Sequence, residues 1–531
     1  MAYSSSCRGI LLFLLAAAVL VAGDGGGVGF DLHHRFSPVV KRWAESRGRP
    51  AAAAWWPEGS PEYYSALSAH DRARRVLAGG KGESLLSFAD GNSTTRHAGS
   101  LHYAKVALGT PNATFVVALD TGSDLFWVPC DCKRCAPIAN TSELLKPYSP
   151  RQSSTSKPVT CSHSLCDRPN ACGNGNGSCP YTVKYVSANT SSSGVLVEDV
   201  LYMTRQSSSS RSGNGGNVGE AVGARVVFGC GQEQTGAFLD GAAMEGLLGL
   251  GMDRVSVPSL LAAAGLVGSD SFSMCFSPDG NGRINFGEPS DAGAQNETPF
   301  IVSKTRPTYN ISVTAVNVKG KGAMAAEFAA VVDSGTSFTY LNDPAYSLLA
   351  TSFNSQVREK RANLSASIPF EYCYALSRGQ TEVLMPEVSL TTRGGAVFPV
   401  TRPFVIVAGE TTDGQVHAVG YCLAVFKSDI PIDIIGRTSE NFMTGLKVVF
   451  DRQRSVLGWT KFDCYKNMKV EDDGSPAAAP GPMPVTQLRP RQSDTPFPGA
   501  VQPRSAAGHA LSSFSPAMLL VTLVAAAAAV L

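Results

Sequence analysis

Two short segments of this chain carry acidic residues that could do proton chemistry as a pair. The apolar run from Val116 ends in Asp120-Thr121-Gly122-Ser123, and the run from Ala329 ends in Asp333-Ser334-Gly335-Thr336. Attack of water on an amide carbonyl, with neither metal nor covalent nucleophile, needs a base for the water and an acid for the carbonyl. Two carboxyl groups within hydrogen-bond distance of each other cannot both ionise, so one proton stays between them across acidic pH. The ionised member then takes a proton from water while the protonated member donates to the carbonyl. Which of Asp120 and Asp333 holds the proton is a property of the pair. Gly122 and Gly335 have no Cβ, which lets their N–H groups approach the carboxylates. Ser123 and Thr336 can donate hydroxyl hydrogen bonds to ionised oxygens. Thr121 and Ser334 are placed to bond across the boundary between the two loops. One Asp-Thr-Gly is a weak sign, because all three residues are turn formers. Two copies are a strong one, since each follows an apolar strand and each is followed later by an apolar-apolar-Gly element, Leu247-Leu248-Gly249 and Ile434-Ile435-Gly436.

These residues need elements to hold them. From His102 to about Tyr465 the chain runs in short β-branched and aromatic stretches, such as Tyr103 to Leu108, Thr114 to Leu119 and Val226 to Phe228, broken by Gly, Pro, Asn and Ser. That texture predicts mostly β structure. Two copies of one plan imply two similar lobes dividing near residue 300, with the site where they meet. At 531 residues the chain is long enough for more than one packed unit, and 44% apolar against 17% charged residues suits a globular body. A formal net charge of +2, with no basic stripe, gives no reason to expect a nucleic-acid partner. No Gly-x-Ser-x-Gly, His-Glu-x-x-His or Walker phosphate loop is present. His163 and His417 are isolated. No metal or cofactor is expected.

The ends of the chain read as address labels. Residues 1–23, with Arg8 ahead of the apolar run Ile10 to Val21, read as a secretory signal. Its removal takes Cys7 away and leaves twelve of the thirteen cysteines, an even number suited to six disulfides in an oxidising compartment. Sequons at Asn92, Asn112, Asn140, Asn176, Asn189, Asn296, Asn310 and Asn363 fit that compartment as glycosylation sites. Residues 24–97, without cysteine, read as a removable propeptide, 98–300 and 301–466 as the two lobes, and 467–507 as a Pro/Ala-rich stalk. Residues 508–531 read as a lipid-attachment (GPI) signal. Ser505, Ala506 and Ala507 are candidate attachment residues, His509 to Ser515 form a spacer, and the apolar tail Met518 to Leu531 has no basic residue after it. That tail is shorter than the roughly 20 residues that span a bilayer. The implied location is the outer face of the plasma membrane, or the apoplast and cell wall.

On Leu119 to Trp127, Val332 to Ser337, Ile434-Ile435-Gly436 and Val448 to Asp451, the chain resembles the pepsin-like aspartic proteases, within them the plant branch typified by nepenthesin. The resemblance spans residues 102–465. It implies a bilobal β fold with a central cleft, a monomer acting on polypeptide substrates at acidic pH, apolar side chains preferred beside the cleaved bond, and a hairpin flap whose tyrosine bonds a tryptophan near the first aspartate. Tyr185 and Trp127 match those two residues. Val186 to Asn189 depart from the usual flap sequence, which bears on subsite preference. The cysteine-rich stretch after Asp120 resembles the insertion of the plant branch, whose pattern implies Cys135 with Cys230, Cys161 with Cys179, Cys166 with Cys172, Cys275 with Cys464 and Cys373 with Cys422, leaving Cys130 and Cys132. Spacing alone does not choose among connectivities. The alternative is a catalytically silent binding protein of the xylanase-inhibitor type on the same fold; the intact Asp motifs favour the enzyme.

Overall fold

The computed structural model describes residues 27–46, 56–75, 489–491 and, apart from several loops, 102–462. The fold is all-β and two-lobed, as expected. A fourteen-stranded sheet carries the first lobe, and a seven-stranded sheet the second. The strand Ala113–Asp120 is a continuous apolar run because it is enclosed. It lies between His102–Leu108, antiparallel to it, and Leu247–Gly249, parallel to it, and both its faces are covered. Gly322–Asp333 does the same in the second lobe, between antiparallel Asn310–Val318 and parallel Asp433–Gly436. Its first half is largely exposed, and only Ala330–Asp333 are continuously buried.

The chain passes from one sheet to the other near residue 300, where Phe300 bridges to Ile311. The division is not a single cut. Leu446–Asp451 and Val456–Lys461 return to the first sheet, where Leu446–Asp451 pairs with Ser271–Phe276 and Val456–Lys461 with Asn296–Pro299. A core running through Phe272, Tyr309 and Phe450 joins the two halves there.

Residues 27–46 and 56–75 are woven into this body. The strand Val28–His34 lies inside the large sheet, between Gly282–Phe286 and His102–Leu108. Val28, Phe30 and Leu32 are buried in the main core, while Asp31 points outward and pairs with Arg283 at 2.8 Å. Burying each such apolar side chain contributes about 1.5–3 kcal/mol. The helix Pro38–Ser46 adds Val40 and Trp43 to the cluster that holds Trp127, Tyr181 and Tyr185, with the Trp43 ring packed on Tyr103. The helix Pro61–Arg75 lays Tyr63, Tyr64 and Leu67 against Phe338, Tyr340 and Phe370 of the second lobe.

The cysteine pairing implied by the resemblance is corrected in three places. Cys230 joins Cys130, not Cys135, and Cys135 joins Cys132. The parallel register of Trp127–Arg134 with Glu220–Thr235 sets Val128 beside Cys230, so Cys130, with a Cα separation of 4.8 Å, is the cysteine within reach. Cys161 joins Cys172, and Cys166 joins Cys179, instead of the reverse partners. The antiparallel bridge Thr160–Ser178 puts Cys161 opposite Gly177 and Cys179 opposite Val159, so Cys161 and Cys179 stand diagonally. A diagonal pair is too far apart for a good disulfide. Cys373–Cys422 forms as implied, from directly opposed positions on two strands. Cys464 lies outside the described residues.

Of the sequons, Asn112, Asn296 and Asn363 are exposed. Asn310 is partly buried, its amide donates to Thr308 Oγ1 at 2.7 Å, and the sequon's Ser312 is buried. Asn92, Asn140, Asn176 and Asn189 lie outside the described residues, as do the secretory signal and Ser505 to Leu531. In the expected stalk, Arg489–Arg491 forms a parallel strand with Glu382–Leu384. Among the described residues, no helix is long and apolar enough to cross a membrane.

Candidate active site

Each aspartate stands at the end of an enclosed strand, opposite a glycine of the neighbouring parallel strand. Asp120 is opposite Gly249, and Asp333 is opposite Gly436. Both glycines are required by close approach. A Cβ on Gly249 would strike the backbone of Asp124, and one on Gly436 the carbonyl of Phe338. The apolar-apolar-Gly elements thus support the turn in which each aspartate loop folds back.

The two loops are wired alike. Gly122 N–H donates to Asp120 Oδ1 at 3.0 Å, and Ser123 Oγ donates to Oδ2 at 2.6 Å. Gly335 N–H donates to Asp333 Oδ1 at 2.9 Å, and Thr336 Oγ1 donates to Oδ2. Charge-assisted bonds of this kind favour an ionised acceptor and fix its orientation. The loops also touch, since Thr121 Oγ1 lies 3.5 Å from Asp333 Oδ1. Ser334, its counterpart, is buried, and its hydroxyl has no partner among the described residues, so the cross-loop contact is one-sided. The two carboxylates are 1% and 0% exposed in the full chain.

The expected aromatic pair also comes together. Pro180–Lys184 and Ser191–Arg205 form a hairpin, and Tyr185 sits at its outer end, its N–H bonded to Thr190 O. Trp127 Nε1 donates to the Tyr185 hydroxyl at 3.1 Å. Burial, aided by the Asp120 charge, pushes the Tyr185 hydroxyl far above its ordinary value, so it stays protonated and keeps a hydrogen to donate. The hairpin tip, Val186 to Asn189, lies outside the described residues.

Three residues of the site were not singled out in the sequence. Phe238 packs edge-on against both Trp127 and Tyr185, with centroids 4.9 and 5.0 Å away, and closes a three-ring cluster. Asp124 accepts the Asp253 N–H at 2.8 Å, and burial pushes its carboxyl above the ordinary range. Asp71, from the helix Pro61–Arg75, accepts the N–H groups of Ser337 and Phe338 and the hydroxyl of Tyr340. Asp124 lies inside the first motif and was findable as its next acidic residue. Nothing in the spacing around Asp71 or Phe238 marks either. Among the described residues no cluster of His, Cys, Asp and Glu is arranged to hold a metal ion.

Comparison with known proteins places these features in company. Residues 102–288 match the family model described as xylanase inhibitor N-terminal, and residues 308–461 the one described as xylanase inhibitor C-terminal. The chain is 46% identical over 481 residues to aspartyl protease family protein 1 of Arabidopsis thaliana, covering 88% of each. It is 26% identical over 403 residues to aspartic proteinase nepenthesin-2 of Nepenthes gracilis, covering 72% of this chain and 82% of that one. The crystal structure of edgp matches with a TM-score of 0.51 at 20% identity, over 69% of this chain and 93% of that one, a likeness of fold.

Proposed function

Because this chain belongs to the pepsin-like aspartic protease family, in its plant nepenthesin-like branch, we propose that it is a working endopeptidase in which Asp120 and Asp333 activate water against peptide bonds. The observation that carries the reading is the matched construction of the two loops, each carboxylate held by a glycine N–H and a hydroxyl, with Thr121 of one loop against Asp333 of the other. In the reaction, the ionised carboxyl accepts a proton from water, and the protonated one donates to the scissile carbonyl. Tyr185, braced by Trp127 and Phe238, lies on the hairpin that covers the substrate, and its protonated hydroxyl is a hydrogen-bond donor there.

The buried dyad is consistent with a precursor. Residues 27–46 and 56–75 lean on both lobes at once, one helix against the Trp127–Tyr185 cluster and the other beside the Asp333 loop. We read them as part of a prosegment whose departure opens the cleft, in a secreted protein tethered by a lipid at its C-terminus. The alternative, a silent binding protein, draws on the name of the matching family models and on the closed dyad.

The deciding experiment compares wild type with Asp120→Asn after acid treatment, on a denatured protein substrate. Hydrolysis by wild type that a statine-type inhibitor blocks, and its loss in a variant secreted as well as wild type, is the expected result. Equal hydrolysis by the variant refutes the mechanism, and none by wild type supports the binding protein. Release from membranes by a phosphatidylinositol-specific phospholipase is the expected result for the anchor; retention refutes it.

A further inference from the structure

The Asp71 carboxylate is fully buried and takes three donors from one short stretch of the second lobe. Ser337 N–H reaches Oδ1 at 2.7 Å, Phe338 N–H reaches Oδ2 at 2.8 Å, and Tyr340 hydroxyl reaches Oδ2 at 3.0 Å. That stretch directly follows Asp333-Ser334-Gly335-Thr336, so the donors belong to the continuation of the second aspartate loop. Arg35, also buried, feels the Asp71 charge from the N-terminal side. Tyr63, Tyr64 and Leu67, on the same helix as Asp71, pack on Phe338, Tyr340 and Phe370, which walls the carboxylate off from water. A buried carboxylate is tolerated only where donors are oriented toward it, and here the protein supplies two adjacent amides and a phenol.

We infer that Ser337 N–H, Phe338 N–H and the Tyr340 hydroxyl form a carboxylate-binding site beside the second aspartate, which the full chain fills with Asp71 as the anchor of its N-terminal helix. The ligand class is a carboxylate presented by a polypeptide. Two adjacent amides match the two oxygens of one carboxylate, one to each, and a carboxamide offers only a single acceptor oxygen. When the helix leaves, Ser337 and Phe338 lose their acceptors at once, so the helix and any incoming acidic group compete for one place. The site stands independently of catalysis; only its consequence for latency rests on the protease reading.

The test uses the full-length secreted chain and hydrogen exchange of the segment spanning Ser334 to Leu341. Asp71→Ala is expected to speed exchange there by at least about tenfold, the loss expected for hydrogen bonds to a charged acceptor. Acetate at tens of millimolar is expected to slow it again, while acetamide at the same concentration does not. Unchanged exchange in Asp71→Ala overturns the inference, and so does equal rescue by acetamide, which signals a filled void and no carboxylate recognition. Should Asp71→Ala fail to be secreted, Asp71→Asn keeps the shape and removes the charge; faster exchange in it supports the site, and wild-type protection sinks it. Hydrolysis of a quenched peptide by the same variants separates the two claims. Faster exchange without any hydrolysis upholds the site and counts against the protease reading.

Discussion

In the first lobe the residue after Asp120-Thr121-Gly122-Ser123 is Asp124, whose carboxylate takes the Asp253 amide. In the second lobe that place belongs to Ser337, and the carboxylate at the loop comes from Asp71, 266 residues earlier. The aspartates themselves are held the same way in both lobes, each by a glycine N–H and a hydroxyl. The first loop therefore brings its own support from within the lobe, and the second borrows from the N-terminal segment. Duplicated lobes need not be equally self-sufficient.

The largest effect tests the equivalence of the aspartates. Asp333→Asn is expected to lower the hydrolysis rate as far as Asp120→Asn does, by about a thousandfold or more, the upper range for removing an acid–base group. A clear difference between them in kcat would break the comparison at its root. Next come the hydroxyl donors. Ser123→Ala and Thr336→Val each remove one bond to a carboxylate, about 1.5–3 kcal/mol, and kcat/KM should fall by roughly 10- to 100-fold in each.

Asp124 sharpens the comparison through pH. Its carboxyl is pushed above the ordinary 3.8 in the folded state, chiefly by burial. The folded chain therefore binds this proton more tightly than the unfolded chain. The favourable contribution is fully present below the ordinary value and is lost as pH rises through the raised one. Denaturant midpoints followed from acidic to neutral pH should fall less steeply in Asp124→Asn than in wild type; an unchanged slope would show that the first loop does not carry this proton.

Smaller effects are expected from the aromatic and cross-loop contacts. Tyr185→Phe removes the partner of Trp127 Nε1 and should cost about 1–3 kcal/mol, read from the unfolding midpoint, because a buried donor is left unpaired. Ser334→Ala should change stability by no more than about 0.5 kcal/mol, or raise it slightly, since the hydroxyl it removes has no partner among the described residues. Thr121→Val should cost more than that. Equal costs would mean that the one-sided contact of the two loops is not real.

The sequence carried much of the plan. Two Asp-x-Gly motifs, each after an apolar run and each followed by an apolar-apolar-Gly element, named both aspartates, because a strand buried on both faces must be apolar throughout; that those later elements pair in parallel with the aspartate strands came from the structure. Tyr185 and Trp127 were named through the family resemblance, and the structure bonds them to each other. The disulfides were less legible. Their partners depend on which strand lies beside which and on face and register, and spacing along the chain holds none of that.

What the amino-acid sequence determined by itself is therefore local: where enclosed strands end, which residues sit at their tips, and which side chains there can move protons. What only the tertiary structure decided is long-range. It put Asp71 against Ser337 and Phe338, Phe238 against both Trp127 and Tyr185, and the strand Val28–His34 inside a sheet whose other strands come from both halves of the chain. Pattern and propensity act over a few residues, whereas a buried carboxylate chooses its donors from whatever the packed lobes bring within 3 Å, and no periodicity in the chain records that choice.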